Sequence, residues 1–438
     1  MEKFDYDRQI EEVIKYIKDG ETKNYRLGLE FEHFVIDKDT LKTISYYGEN
    51  GVEETLKELT KVGWKPEYEG QYLLGLNKGD KNISLEPGSQ LELSIEKQFH
   101  IENLEKEYLN FLKDLIPILN SKNQYLITVG YHPVTKIDEI KILPKERYDH
   151  MYNYFKTKGT HAHNMMKGTA SIQVTIDYKD EEDYKKKFQI ANALSPVFYT
   201  MFENAFYFEG EATDIHNIRS FIWENCDKDR SGIAKGALED DYSYKKYAEY
   251  VLNRPPIFEI KEGVINSTGS KNMKEVFDPE DYNEDELSHL LTMFFPDVRT
   301  KKYIEIRMFD SVPYPLNFSV LALIKGLFYN DKNLDILYDY IKDISMDEIN
   351  EVRLEMKAFG LGAKFRNEFL LDTGKKLVKL AKEGLRDEEK KYLQALEDML
   401  EKGVNPYMIT GQKDSEGREQ ATSWCVINHI LEDYDENK

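Results

Sequence analysis

The chain has 438 residues, with 81 acidic and 60 basic side chains and a formal net charge of -21. That balance argues against sequence-independent binding to nucleic acid or anionic membranes, which needs clustered Lys and Arg. The length allows a sizeable core, and no apolar stretch is long enough to span a bilayer.

Met1-Glu2-Lys3-Phe4-Asp5 has no apolar signal core, so a cytoplasmic protein is expected. Helical apolar spacing follows near 5–19 and 52–63, and the run between them, Tyr25 to Ile36, reads as a strand. Alternation along it puts Glu30 and Glu32 on one face and Leu29 and Phe31 on the other. Tyr72 to Ile95 reads as strand, turn, strand, an antiparallel hairpin reversing at Asn77-Lys78-Gly79-Asp80. Ile101, Leu104, Tyr108, Leu112, Leu115 and Leu119 mark one face of a long helix, and Gln124 to Val129 reads as the next strand. Thr169 to Asp177 is another, with Ser171, Gln173 and Thr175 sharing a face.

The acidic run from Asp278 to Glu286 reads as a solvated turn and helix start. Tyr303 to Met308 is a further strand, and from about 317 to 402 the pattern is helical, broken at Gly360-Leu361-Gly362. Strands and helices mix without βαβ rhythm, which predicts an α+β fold with a mainly antiparallel sheet. No repeat or linker divides the chain. One catalytic domain over 1–438 is expected, with a sheet core at about 25–310 and helical cladding at about 317–438.

Walker, dinucleotide and Gly-x-Ser-x-Gly patterns are absent, and neither Cys226 nor Cys425 sits in a Cys-His signature. Two cysteines are too few for a disulfide framework or a Cys-rich zinc site. What stands out is acid inside β-like apolar runs: Glu30-Phe31-Glu32, Glu86 to Glu92 around Pro87-Gly88, and Ile304-Glu305-Ile306-Arg307. Buried carboxylates are costly unless something cationic holds them. A donor set of carboxylate oxygens favours a hard ion such as Mg²⁺ over Zn²⁺.

Each string also has a plainer reading. Glu30-x-Glu32 fits a solvent-facing strand, Glu86 to Glu92 a charged turn, and Glu305 with Arg307 an ion pair on one strand face. Arg219 and Trp223 lead into a loop, Asn225 to Gly232, that contains Arg230. Two guanidiniums with an aromatic platform suit carboxylate or phosphate binding, or simple Arg–Asp pairing. His161 and His163, one residue apart, are compatible with a metal pair on a strand or with solvated histidines. Tyr242, Tyr244, Tyr247 and Tyr250 read as packing.

The strings share one order: Gly28-Leu29-Glu30-Phe31-Glu32, Leu85 to Ser94, Leu143-Pro144-Lys145-Glu146-Arg147-Tyr148, Met165 to Asp177, Trp223 to Gly232, Phe295 to Arg299 and Tyr303 to Arg307. In this order the chain resembles glutamate–cysteine ligases of the plant and proteobacterial type, from about residue 25 to 330. The resemblance implies a glutamine-synthetase-like carboxylate–amine ligase fold, a curved, mainly antiparallel sheet with metals on its concave face and helices outside. It implies ATP-dependent joining of the γ-carboxylate of glutamate to the amine of cysteine through a γ-glutamyl phosphate.

Matching positions make Glu30, Glu32, Glu86, Glu92 and Glu305 ligands of Mg²⁺, with Gln173 on the same cradle. Arg307 would meet the transferring phosphoryl group, Arg230 phosphate or product, and Arg219 with Trp223 the glutamate α-carboxylate. Gln90 and Met165 join the residues around the bound substrates. The expected partners are glutamate, cysteine and ATP, with neither nucleic acid nor membrane. Cys226 and Cys425 lie far apart, so the redox switching of the plant enzymes is not expected, and His161-Ala162-His163-Asn164 is expected to reshape the mouth of the amino-acid pocket. Ligation of glutamate to another amine, a guanidino-kinase-like phosphotransfer and a non-catalytic metabolite-binding role are the competing readings.

Overall fold

The alternating runs assemble into a nine-stranded sheet with helices behind it, in a computed structural model that describes residues 4–430. Met1-Glu2-Lys3 of the N-terminal reading and residues 431–438 of the expected tail lie outside the described residues. The first part of the framework is α1 (Tyr6–Lys18), β1 (Leu27–Asp37), α2 (Val52–Thr60), β2 (Lys65–Glu69), β3 (Tyr72–Lys78), β4 (Lys81–Leu85), β5 (Leu91–Gln98), α3 (Ile101–Ser121) and β6 (Gln124–Ile127). Then come α4 (Glu146–Phe155), α5 (Ala162–Gly168), β7 (Ser171–Ile176), α6 (Ile218–Glu224), β8 (Val298–Thr300), β9 (Ile304–Asp310), α7 (Leu316–Phe328) and α8 (Leu370–Gly384). The strand order is β8-β9-β7-β1-β5-β4-β3-β2, with β6 also on β1. Every neighbouring pair in this sheet is antiparallel.

β1 is the pivot. Its first half lies between β5 and β7, and its second half pairs with β6. The period of two sends Leu29 and Phe31 to the back, where the Phe31 ring meets Tyr108 of α3 at 5.1 Å and Phe318 of α7 at 5.6 Å, both edge to face. α7 is apolar on nearly every side and buried along almost its whole length, as a helix between a sheet and other helices must be. Glu30 and Glu32 are thereby left on the front.

Three elements differ from the sequence reading. Tyr72 to Ile95 is three strands, because a second reversal at Glu86 to Gln90 separates β4 from β5. β2 escaped notice because it is an exposed edge strand with no apolar face to betray it. Arg219 and Trp223 lie on the helix α6 and not in the loop that follows. The chain's end also does more than clad: Cys425 accepts a hydrogen bond from the Thr128 backbone at 3.0 Å, and the Asn428 side chain accepts from Leu126 N at 2.8 Å, beside β6.

α7 and α8 cross at glycines. A Cβ on Gly326 would strike the Ala381 carbonyl, and one on Gly384 would strike the carbonyl of Gly326. Gly326→Ala should therefore force the helices apart and lower stability by roughly 1–3 kcal/mol. The shift of the urea midpoint measures it, and an unchanged midpoint would show that the crossing is not tight.

Candidate active site

Register turns scattered acids into a patch. Glu32 faces Glu92 across β1 and β5, and Glu92 faces Ser84 across β5 and β4. One rank along, Glu30 lies between Ser94 and Gln173; on the next, Glu305 of β9 faces Thr175 of β7. Beyond β4 a tight turn places Glu86: Ser89 N donates to Glu86 O at 2.8 Å, Glu86 N donates to Gln90 O at 2.9 Å, and Ser89 takes the left-handed conformation at φ 72. Gly88 is required because a Cβ there would collide with the Lys167 backbone. The Gln90 amide holds the turn, accepting from Gly88 N at 2.8 Å and donating to Thr169 O at 2.9 Å.

These residues floor a cavity of about 290 Å³. Glu30, Glu32, Glu86, Glu92, Gln90, Gln173, Met165, Arg219, Trp223 and Arg307, all named from sequence, line it. Arg307 is aimed by a bulge in β9, where the register against β7 slips between Ile306 and Phe309. Its guanidinium bonds Gln173 and donates to Glu305 Oε2 at 2.8 Å, while Arg219 Nη1 caps its carbonyl at 2.9 Å. Arg219 and Trp223 stand one helical turn apart on α6, with the guanidinium 5.8 Å from the indole centroid.

The carboxylates are not equivalent. Burial first, and neighbouring carboxylates second, push Glu30 and Glu92 up to about 8 and Glu86 to about 7. Glu32 is also raised by burial, though Arg219 and hydrogen bonds from Ser171 N (2.7 Å), Ser171 Oγ (3.0 Å) and Gln173 Nε2 (3.1 Å) oppose this. Glu305 goes the other way: burial opposes its ionisation, but Arg299, Lys301 and Arg307 hold it well below the usual carboxylate range. Its Oε2 meets Arg299 at 2.6 Å, and its buried Oε1 has no hydrogen-bond partner. All-oxygen donors, an orphaned carboxylate oxygen and crowded acids suit a hard divalent cation. Their like charges keep them spread, and among the described residues no three of them bring ligand oxygens within 4.8 Å of one another.

Some expectations meet a different geometry. Arg230 is fully buried away from the cavity lining, its guanidinium taken by Asp227, Tyr154 (2.8 Å), Met293 O (3.1 Å) and Pro255 O, so the structure gives it a loop-tying place and not a ligand-facing one. His161 precedes α5 and packs its ring 4.9 Å from Phe221; His163 stacks on Tyr152 at 4.2 Å. They form no metal pair on a strand. Cys226 and Cys425 are free and buried, each thiol pushed up to about 12 by burial. Glu305 lies behind the lining, joined to it through Arg307.

The sequence reading assigned no role to Arg299, Lys145 or Arg147, which line the cavity, or to Lys301, whose Nζ lies 3.9 Å from Glu305 Oε1. Single cations at the edge of a short strand or the start of a helix leave no periodic signal, and only their nearness to the acids across the fold reveals them.

Comparison with known proteins gives concordant findings. The profile of glutamate–cysteine ligase family 2 matches residues 26–422. The chain is 31% identical over 411 residues to a chloroplastic glutamate–cysteine ligase of Arabidopsis thaliana, covering 90% of this chain and 78% of that protein. It is 29% identical to chloroplastic glutamate–cysteine ligase A of Oryza sativa subsp. indica, covering 90% and 82%. Its fold is similar to a crystal structure of a glutamate–cysteine ligase from Francisella tularensis in complex with AMP, with a TM-score of 0.52 at 10% identity over 92% of this chain and 88% of that one.

The acids give a signed pH dependence. Glu30, Glu86 and Glu92 bind protons more tightly folded than unfolded, so their contribution to stability falls as pH rises from about 5 to about 8. A divalent cation binds the ionised forms and should restore it. Thermal midpoints across that window, in chelator and in Mg²⁺, should fall more steeply in chelator. Glu30→Gln should flatten the chelator curve, and identical slopes in both media would contradict the electrostatic picture.

Proposed function

The chain belongs to glutamate–cysteine ligase family 2, and we propose that the acid-faced cavity is where it activates glutamate and couples it to an amine. The protein is an ATP-dependent glutamate–cysteine ligase, catalysing the first step of glutathione biosynthesis. One observation carries the assignment of the site: three carboxylates on one sheet face and a fourth from the turn beside it, next to an arginine that is itself held by a fifth.

A carboxylate is a poor acyl donor because its leaving group would be oxide. Phosphorylation of the γ-carboxylate by ATP supplies a better one. The amine then attacks the acyl carbon, the C–N bond forms, the C–O bond to phosphate breaks, and the amine proton leaves to solvent, giving dipeptide, phosphate and ADP. No protein nucleophile is needed.

Glu30, Glu32, Glu86, Glu92 and Glu305, with Gln173, would hold Mg²⁺, which when bound neutralises phosphate oxygens as charge develops on them. Arg307, fixed between Glu305 and Gln173, offers its remaining N–H groups to the transferring phosphoryl group. Arg219 and Trp223 would hold the glutamate α-carboxylate. Gln90 shapes the turn that carries Glu86, and Met165 supplies apolar wall. ATP fits the phosphoryl chemistry, and the AMP bound to the Francisella tularensis enzyme supports it.

We read residues 1–438 as one catalytic unit. No helix among the described residues is long and apolar enough to cross a membrane. A cytoplasmic setting suits two unpaired buried thiols.

Glu30→Gln and Glu32→Gln should each cut turnover on the order of a hundredfold or more while preserving the fold. ADP release measured with glutamate and each amine in turn tests this, and near-normal rates in saturating Mg²⁺ would remove the cation assignment. Arg219→Lys should raise KM for glutamate more than KM for ATP, because an ammonium cannot reproduce a guanidinium fork. An unaltered glutamate dependence would count against that role. ADP formed in step with a γ-glutamyl dipeptide marks a ligase; ADP formed without an amine marks a phosphotransferase.

A further inference from the structure

Most cations of the cavity are engaged. Arg307 is held by Glu305 and Gln173, Arg299 by Glu305 and the carbonyls of Thr292 (3.3 Å) and Phe294 (3.2 Å), and Arg219 by the carbonyl of Arg307. Lys145 and Arg147 are the exceptions. Both line the cavity and are half-buried, yet neither forms an ion pair or a side-chain hydrogen bond among the described residues, and the buried Nε of Arg147 has no partner. Glu86 feels both charges but stays out of contact with them. Two like charges held side by side out of bulk water are costly unless an anion joins them.

Their placement is fixed. Lys145 caps α4 and Arg147 lies on its first turn, with Lys145 Nζ 5.1 Å and the Arg147 guanidinium 5.6 Å from the Tyr148 ring centroid. Tyr148 OH donates to Leu85 O at 3.1 Å, and Leu143 N donates to Pro87 O at 3.1 Å, anchoring the segment to the turn that carries Glu86. Arg147 and Met151, four residues apart, share one helix face and both line the cavity.

We propose that Lys145 and Arg147 clamp the α-carboxylate of the amine acceptor, so that the acceptor is recognised as an α-amino acid and not as a bare amine. A carboxylate on this clamp lays a short apolar or thiol side chain along the thioether of Met151. The other candidate clamp, Arg219 with Trp223, stands on α6. Two separate guanidinium sites in one cavity suit two carboxylate-bearing substrates. The inference rests on the ligase reading above.

The test pairs acceptors that differ by the carboxylate: cysteine against cysteamine, and 2-aminobutyrate against propylamine, with the full chain, Mg²⁺, ATP and glutamate. The native protein should prefer each carboxylate-bearing partner by roughly tenfold or more in kcat/KM. Arg147→Ala and Lys145→Ala should raise KM for cysteine and 2-aminobutyrate by roughly tenfold, move KM for ATP and glutamate less than about twofold, and collapse the cysteine-over-cysteamine preference. A rise in KM for ATP would make the pair a phosphate clamp, and a rise for glutamate a donor clamp. Equal losses on cysteine and cysteamine would make it structural. Any of these overturns the proposal.

Calorimetric binding of 2-aminobutyrate to the native protein with glutamate present, and its loss in Arg147→Ala, tests the clamp separately from turnover. Absence of γ-glutamyl product with every amine would instead defeat the ligase reading.

Discussion

The repulsion among carboxylates on the front of β1 and β5 is the constraint around which the rest is arranged. Glu30, Glu32 and Glu92 share one face of adjacent strands, and Glu86 is brought over them by the turn after β4. Nothing in the packing of the back face requires acids on the front; Leu29 and Phe31 would seat against α3 and α7 equally well with polar neutral residues opposite. The stability of the back therefore holds the acids together, and without a cation they relieve the repulsion by keeping protons. This is how a folded core stores a strong appetite for cations at a chosen point.

Positive charge is distributed with the same economy. Three cations converge on Glu305, the one acid of the set kept firmly ionised, and turn it into a rigid mount for Arg307. Neutralising Glu305 would release Arg299 and Arg307 together, so the two guanidiniums behave as one unit with the carboxylate between them. The acids nearer the turn feel cations only from a distance, without an ion pair among the described residues, and respond to whatever ligand arrives. A fixed end, reaching the lining through Arg307, and a responsive end thus share one cavity of about 290 Å³.

Much of this was legible in the sequence, for identifiable reasons. Alternation in Tyr25 to Ile36 and Thr169 to Asp177 placed Glu30, Glu32 and Gln173 on the correct face, because one buried side enforces register. The turn at Pro87-Gly88 was visible as a break, but its result, a separate strand on either side, was not, since apolar residues continue across it. β2 was invisible for the opposite reason, having no buried face at all. Arg219 and Trp223 were found as residue types leading into a loop, with no element of their own; their helix is seven residues long, too short to show a period. Arg230 looked like a ligand-binding guanidinium because sequence gives no account of burial, and Asp227 three residues earlier already satisfied it.

The pairing of Thr128 with Cys425 and of Leu126 with Asn428 has a consequence for the order in which the molecule is made. β6 emerges from the ribosome early, whereas the segment that covers it comes nearly three hundred residues later. The backbone of β6 beside β1 must stay hydrated, or be shielded by other means, until the segment around Cys425 and Asn428 has been made. The acid face follows the same calendar: β1 and β5 are available within the first hundred residues, but β9, with Glu305 and Arg307, arrives after residue 300. Glu32 and Glu92 can therefore meet across β1 and β5 long before Glu305 and Arg307 are made, and until then the early strands must carry their acids hydrated or protonated.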